Sequence, residues 1–322
     1  MAAMQPRAAS GMSALDAATP SQQPDVPSIV REPAVPRLLD DAGADGDGDE
    51  EMALADAGTS PTEPMRDAGA DAWVAPAEPM PTDPACSRER LRELADEYLA
   101  ALGRGDASAL VLHARARYTE NGQEQMMGVG LWLNGPRLEF ARHALDPATC
   151  GSATQAVLTT PAGIVLLGLR LGYLDAQLLD IEAHVAPPNQ RYFAPEEIIP
   201  RGSDPWAQPV PEAERSSAAE LSQVAMDYFN SVADPNRLPP SAQDCERRQN
   251  GALMSEQGSC RIAPGSERFE QTRYAVLDTS AGIVVVMTKY TDYIGMYLFK
   301  VHDGTILDIE VVGGATSAAT GW

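Results

Sequence analysis

No stretch of this sequence approaches the roughly 18–20 consecutive apolar residues that a membrane-crossing helix needs, so none is expected. Basic residues are scarce. Against 46 Asp and Glu stand 24 Lys and Arg, a formal net charge of −22. An anionic surface repels phosphate backbones and anionic lipid headgroups alike, which argues against nucleic-acid and membrane-surface partners. Histidines are few, and His113, His143, His184 and His302 stand singly, with no pair at metal-ligand spacing; no metal site is expected. A nucleophile elbow, a phosphate loop and a dinucleotide fingerprint are missing. Gly128-Val-Gly130 lacks the further glycine and the strand–helix turn of such a fingerprint. No cofactor is expected.

Two further scarcities pull in opposite directions. Met1 to Thr19 contains no continuous apolar core behind a basic start and reads poorly as a signal peptide. There are only four cysteines, Cys86, Cys150, Cys245 and Cys260, and none forms a Cys-x-x-Cys pair. An even count at wide spacing fits two disulfides and an oxidising compartment. Four buried thiols in a reducing compartment is the alternative.

What is present divides the chain. Residues 1–85 hold about a dozen prolines and repeat Asp-Ala-Gly at Asp41, Asp56 and Asp67. They also hold about half of the excess negative charge. Their large apolar residues are few and without period, so the segment cannot bury enough surface to offset chain entropy and is expected to be a disordered acidic tail. Within it, Asp45-Gly-Asp47-Gly-Asp49-Glu50 has the look of a calcium loop. Glu50 stands where such a loop needs glycine for its sharp turn, so a solvated charge run is the better reading. A flexible acidic tail of this kind commonly spaces a secreted domain from an anchor.

Beyond the tail, the chain repeats itself. Leu91, Leu94, Ala95, Tyr98, Leu99 and Leu102 follow the spacing of one helix face, with Ser87 placed as N-cap and Gly103 as the stop. Leu221, Val224, Ala225, Tyr228, Phe229 and Val232 repeat that spacing position for position, behind a Ser217/Glu220 capping box. Asn121-Gly122 is echoed by Asn250-Gly251. Arg142-His143 with Leu145-Asp146 is echoed by Arg273-Tyr274 with Leu277-Asp278. Ala162–Val165 recurs as Ala281–Val284, and Leu179-Asp-Ile-Glu182 as Leu307-Asp-Ile-Glu310. Ordered echoes of this kind predict two copies of one fold, 86–190 and 212–314. A proline-rich connector carrying Trp206 (191–211) joins them, and a short tail (315–322) follows. Asp303-Gly304 between apolar runs predicts a hairpin, and Ile309 and Val311 alternate with Asp308 and Glu310 as in a strand with one buried face. A helix followed by a curved antiparallel sheet is an α+β layout.

These residues carry a resemblance. A helix of this type followed by Arg117-Tyr-Thr-Glu-Asn-Gly122 and Gly130-Leu-Trp132 resembles the SnoaL-like, nuclear-transport-factor-two-like superfamily. Cys86-Ser-Arg88, Leu145–Cys150, Trp206 with Pro211–Arg215, Cys245–Gly251 and Arg273-Tyr274 resemble more closely a family of two-copy secreted proteins, fungal and bacterial, described only as a domain of unknown function. The resemblance spans residues 86–314. It implies a cone-shaped helix-and-sheet fold in each copy, extracytoplasmic residence and two disulfides. It supplies no reaction. Pairing within each copy would join Cys86 to Cys150 and Cys245 to Cys260.

Candidate site residues follow from polar groups expected on the sheets. Tyr118, Glu120 and His143 of the first copy could move protons in an apolar cone. Trp132, Arg142, Arg273 and Tyr274 could line a ligand pocket. Each also has a plainer reading: Arg142 and Arg273 as ion pairs fixing strand ends, Trp132 as core, Glu120-Asn121-Gly122 as a turn. In the second copy Arg247 and Gln249 replace Tyr118 and Glu120, and a duplicated active site should keep its charged residues. The expectation is therefore a secreted or surface-tethered, non-catalytic domain with a binding or structural role. The alternative is a cofactor-free isomerase, cyclase or hydratase working in the first cone, which is also where a small-molecule ligand is expected. The two copies are further expected to pair through their sheets, giving a monomer with the form of a dimer.

Overall fold

The computed structural model describes residues 84–190, 192–200, 204–234, 236–255, 260–262, 269–289 and 292–316. The expectations for the acidic tail, its Asp45–Glu50 run and the last six residues lie outside this range.

Each half opens on one α-helix. α1 (Arg88–Arg104) begins where the Ser87 side chain accepts from the Arg90 N–H, satisfying one of the unpaired donors of a first helical turn. It runs past Gly103, the expected stop, and ends at Gly105, which takes the left-handed conformation at φ 64° and caps the carbonyls of the last turn. α2 (Ala218–Ala233) begins in the expected capping box: Ser217 Oγ accepts from Glu220 N, and Glu220 accepts from Ser217 N at 2.7 Å. The predicted stripes are the buried faces. Leu91, Ala95, Tyr98 and Leu102 on α1, and Leu221, Ala225 and Tyr228 on α2, are almost wholly withdrawn from water. Each large side chain so buried stabilises by about 1.5–3 kcal/mol.

Behind each helix lies a six-stranded sheet. The first half contains β1 (Leu112–Glu120), β2 (Gln123–Gln125), β3 (Arg137–Asp146), β4 (Gly151–Thr160), β5 (Gly163–Leu174) and β6 (Gln177–Ala186) in the order β2-β1-β6-β5-β4-β3. The second contains β7 (Ser241–Gln249), β8 (Ala252–Leu253), β9 (Gln271–Asp278), β10 (Ile283–Lys289), β11 (Tyr293–His302) and β12 (Thr305–Ala315) in the order β8-β7-β12-β11-β10-β9. One strand order thus occurs twice in an α+β layout. The sheets are mixed and not purely antiparallel, because β1 runs parallel to β6 and β7 parallel to β12. The helix and short strands leave the first long strand and the last pointing the same way, a join that no hairpin could make.

The echoed motifs have repeated structural work. Asn121-Gly122 and Asn250-Gly251 both take positive φ, 48° and 74° in the first and 48° and 83° in the second, as a two-residue hairpin turn requires. Each asparagine side chain then lengthens the parallel ladder. Asn121 brackets Val185, donating to its carbonyl and accepting from its N–H, and Asn250 brackets Gly313 in the same manner. Asp303-Gly304 forms the expected hairpin between β11 and β12. Disulfides join Cys86 to Cys150 and Cys245 to Cys260, with Cα separations of 5.0 and 5.1 Å, inside the usual range for a bridge. On the chain-entropy model, loops of 64 and 15 residues are worth about 4 and 3 kcal/mol.

The two sheets pack against each other on the faces away from their helices. Ala144 and Ala153 of the first sheet meet Val276, Ile283, Val285, Met287, Met296 and Leu298 of the second, and Val157, Leu166 and Ala186 meet Val312. Small residues set the spacing. A Cβ on Gly168 would stand 3.0 Å from the Met296 methyl. The echoed Leu-Asp pairs cross this interface reciprocally. Asp146 accepts from the Leu277 N–H at 3.2 Å, and Asp278 accepts from the Leu145 N–H at 2.9 Å. Arg88, the first residue of α1, closes one of the two crossings by gripping both oxygens of Asp278 at 2.5 and 2.8 Å.

Candidate functional site

The structure brings together part of the first-half candidate set. Tyr118 and Glu120 alternate on β1 and so share a face. The Tyr118 hydroxyl donates to Glu120 Oε2 at 2.7 Å, and the same oxygen accepts from the Leu131 N–H at 2.9 Å. Trp132 packs edge-on against Tyr98 at 5.2 Å and is 1% exposed. Burial pushes the Tyr98, Tyr118 and Tyr173 phenols up. All four rings belong to one closely packed core cluster.

His143 lies elsewhere, on β3, four strands from β1 in the sheet. Its Nδ1 meets Thr154 Oγ1 at 2.8 Å and its Nε2 meets Asp96 of α1 at 3.2 Å, while Arg92 is the other charge acting on it. Burial pulls its basicity down against the pull of Asp96. Among the described residues it shares no hydrogen-bond partner with Tyr118 or Glu120.

Arg142 and Arg273, at echoed positions, both sit near carboxylates of the opposite half. Arg273 donates to Glu182 of β6, which also accepts from Arg170 Nη1 at 2.6 Å. Arg142 feels the charge of Glu310 of β12, and it is packed under the connector: Asp204 lies 3.5 Å away and the Trp206 ring 5.0 Å away. Trp206 in turn donates to Asp308 at 3.2 Å.

The two buried glutamates have different neighbours. Opposite Glu182 on the neighbouring strand stands Arg170; opposite Glu310 stands Leu298. Burial works against the charge of Glu182, but Arg273 and Arg170 outweigh it and hold its carboxyl below the usual carboxylate range. Glu310 faces its second arginine, Arg248, on the other side, across the parallel pair with β7. Burial raises its carboxyl to about 7, and Arg142, Arg248 and a 3.4 Å hydrogen bond from Gln155 only partly offset this.

A groove of about 480 Å³ opens in the second half, between α2 and the edge strand β9. Met226, Phe229 and Asn230 line it from one side of α2, at the i, i+3, i+4 spacing that brings residues onto one face. Thr272, Arg273 and Tyr274 of β9 and Val286 of β10 supply the rest. The register of β9 shifts between Val285 and Val286, leaving Ala275 as an extra residue beside the groove, a bulge of the kind that re-aims side chains at an edge. Tyr274 donates to the Ser222 carbonyl at 2.8 Å, and burial with the nearby charge of Asp227 pushes its phenol up to about 12. Its lining combines an apolar wall (Met226, Phe229, Val286) with an amide, a hydroxyl and a guanidinium. Of the pocket candidates read from the sequence, Arg273 and Tyr274 line this groove; Trp132 and Arg142 do not. Met226, Asn230 and Thr272 were missed. They flank the predicted helix stripe and the predicted strand, where sequence period alone carries no mark of a cavity.

Residues 214–313 match the model of the family described as a domain of unknown function (DUF8021). That span is the second half, from the residues just ahead of α2 to the end of β12. No curated protein matches the chain. Among solved structures, one assigned as a ketosteroid isomerase from Kribbella flavida DSM 17836 is similar at 15% identity, over 36% of this chain and 92% of that one, with a TM-score of 0.27. Among the described residues no helix is long and apolar enough to cross a membrane, and no group of three or more His, Cys, Asp or Glu is arranged to hold a metal ion.

Proposed function

We propose that this chain is an extracytoplasmic, non-catalytic binding domain. In this reading it is built from two copies of a nuclear-transport-factor-two-like unit and takes an amphipathic small molecule in the groove of the second. The observation that carries it is the composition of that groove. Its apolar wall suits a hydrophobic body of a ligand, and Arg273, Asn230 and Thr272 suit a polar or anionic head. The Tyr274 phenol is pushed up to about 12, away from neutral pH. Such a site is suited to bind and orient, with no group poised for proton transfer among its described lining residues. Two disulfides support residence in an oxidising compartment. The face-to-face packing of the sheets supports a monomer in which the halves serve each other as partners.

The test uses 8-anilinonaphthalene-1-sulfonate, an aromatic anion of suitable size. It should bind the folded chain at one site, and Thr272→Trp, which fills the groove from the exposed edge strand, should abolish that binding. Unchanged binding in Thr272→Trp would count against the groove. The Tyr118–Glu120 hydrogen bond favours a second reading, a cofactor-free isomerase, cyclase or hydratase in the first half. Turnover of a carbonyl substrate that survives Thr272→Trp and disappears in Glu120→Gln would establish that reading instead.

A further inference from the structure

We infer that Glu182, which belongs to the first half, is a positioning residue for the groove of the second half. The inference rests on the groove reading above. Its geometry is independent of the ligand's identity. Among the described residues, Arg273 is the cationic group lining the groove, and its side chain is a third exposed. A long arginine on an edge strand has several rotamers, and holding it in one of them before a ligand arrives lowers the entropic cost of binding. The holding group is Glu182, whose side chain is only 5% exposed and which takes the Arg273 guanidinium across the sheet–sheet interface.

Glu182 does not need Arg273 for its own sake. Arg170, facing it on β5, already pairs with it at 2.6 Å within the first sheet. The carboxylate therefore has a second acceptor role to spare, and that role is spent on a residue 91 positions away in the chain. His184, two residues along β6, is buried and kept neutral, its basicity lowered to about 4 by burial, so the charge balance around Glu182 is constant from mild acid upward. The remaining charges facing it are Arg170, Arg273 and, more distantly, Asp180, which lies 3.9 Å from Arg170. The echoed arginine, Arg142, shows what the pairing achieves. It lines no described groove, because Asp204 and Trp206 of the connector cover it. Arg273 instead lines the groove, and Glu182 grips its guanidinium from the side of the first sheet. The span 214–313 that matches the family model contains Arg273 and lacks Glu182, so the site of the second half is complete only in the presence of the first.

The experiment titrates the full-length protein with 8-anilinonaphthalene-1-sulfonate and compares wild type, Glu182→Gln, Arg273→Ala and the double variant. Glu182→Gln should weaken the probe about tenfold, the scale of one well-placed charge-assisted hydrogen bond. In the Arg273→Ala background the same substitution should change nothing further, a non-additivity that a general loss of stability would not produce. Glu182→Asp keeps the charge and the pairing with Arg170 but shortens the reach. It should fold normally and still lose several-fold in affinity. Equal losses from Glu182→Gln with and without Arg273, or no loss in either Glu182 variant, would overturn the inference while leaving the groove intact. Insensitivity of the probe to Thr272→Trp would overturn the groove reading itself, and the inference with it.

Discussion

Replacing Glu310 by glutamine should make the protein more stable above neutral pH, and the size of the gain follows from the surroundings of this one carboxyl. Glu310 is 3% exposed and lies between the sheets, with Arg142 and Arg248 near it, Asp308 adding repulsion, and Leu298 where the other half has an arginine. Its carboxyl is raised from 4.5 to about 7 in the folded state. A carboxyl raised by folding contributes its full stabilisation below the unfolded value and loses it as pH climbs through the folded one. The loss therefore falls between about pH 4.5 and 7.5 and amounts to about 3 kcal/mol when complete. Glutamine stays neutral and keeps the shape. Urea unfolding of wild type and Glu310→Gln at pH 5, 6, 7 and 8 reads the difference directly. The difference in stability should grow by about 2.5 kcal/mol across this series in favour of the variant. The comparison must be between the two proteins. His184 is buried with its folded value lowered to about 4, so its own contribution is lost as pH falls from about 6.5, and the wild-type profile alone mixes opposed slopes. Parallel profiles for wild type and variant would show that Glu310 is ionised throughout, held by Arg142, and would refute the argument.

Two further outcomes test the architecture. Peptide mapping without reduction should recover the Cys86–Cys150 and Cys245–Cys260 peptides, and Cys245→Ser with Cys260→Ser should lower stability by about 3 kcal/mol; four alkylatable thiols in protein from an oxidising compartment would contradict both. Asp278→Asn should cost about 2–3 kcal/mol, because its wholly buried carboxylate accepts from Leu145 N, Ala281 N and Arg88, and an amide nitrogen facing those donors leaves them unsatisfied.

Much of the scaffold is legible in the sequence because it is written twice. A helix stripe found at 91–102 and again at 221–232, or an Asn-Gly turn found twice ahead of matching strands, is tested by its own repetition. The parallel pairing of β1 with β6 was not legible, since residue patterns mark a strand's faces and not the direction of its neighbour. The sites were less legible still. Tyr118 and Glu120 could be paired because alternation on one strand is a local rule. His143 could not be placed, because its distance from them depends on the three strands between β1 and β3. The cross-interface roles of Arg142 and Arg273 depend on how two sheets meet, and the groove depends on the gap between α2 and β9. Neither quantity leaves a period in the chain.

The parallel join of first and last long strands has a consequence for how the chain is made. β1 can pair with short β2 early, but its long parallel partner β6 comes last in its half, as β12 does for β7. Each sheet is thus completed by its final segment, with the slow, long-range pairing that such wiring entails. The first half can finish at residue 186, but its outer apolar face then waits for more than a hundred further residues before the second sheet covers it. During that interval Val157 and Leu166 are exposed on a newly folded surface. The nascent protein passes through a stage at which a second molecule of itself, caught at the same point, offers the same uncovered face, and crowded synthesis should favour mispaired dimers over aggregates of unfolded chain.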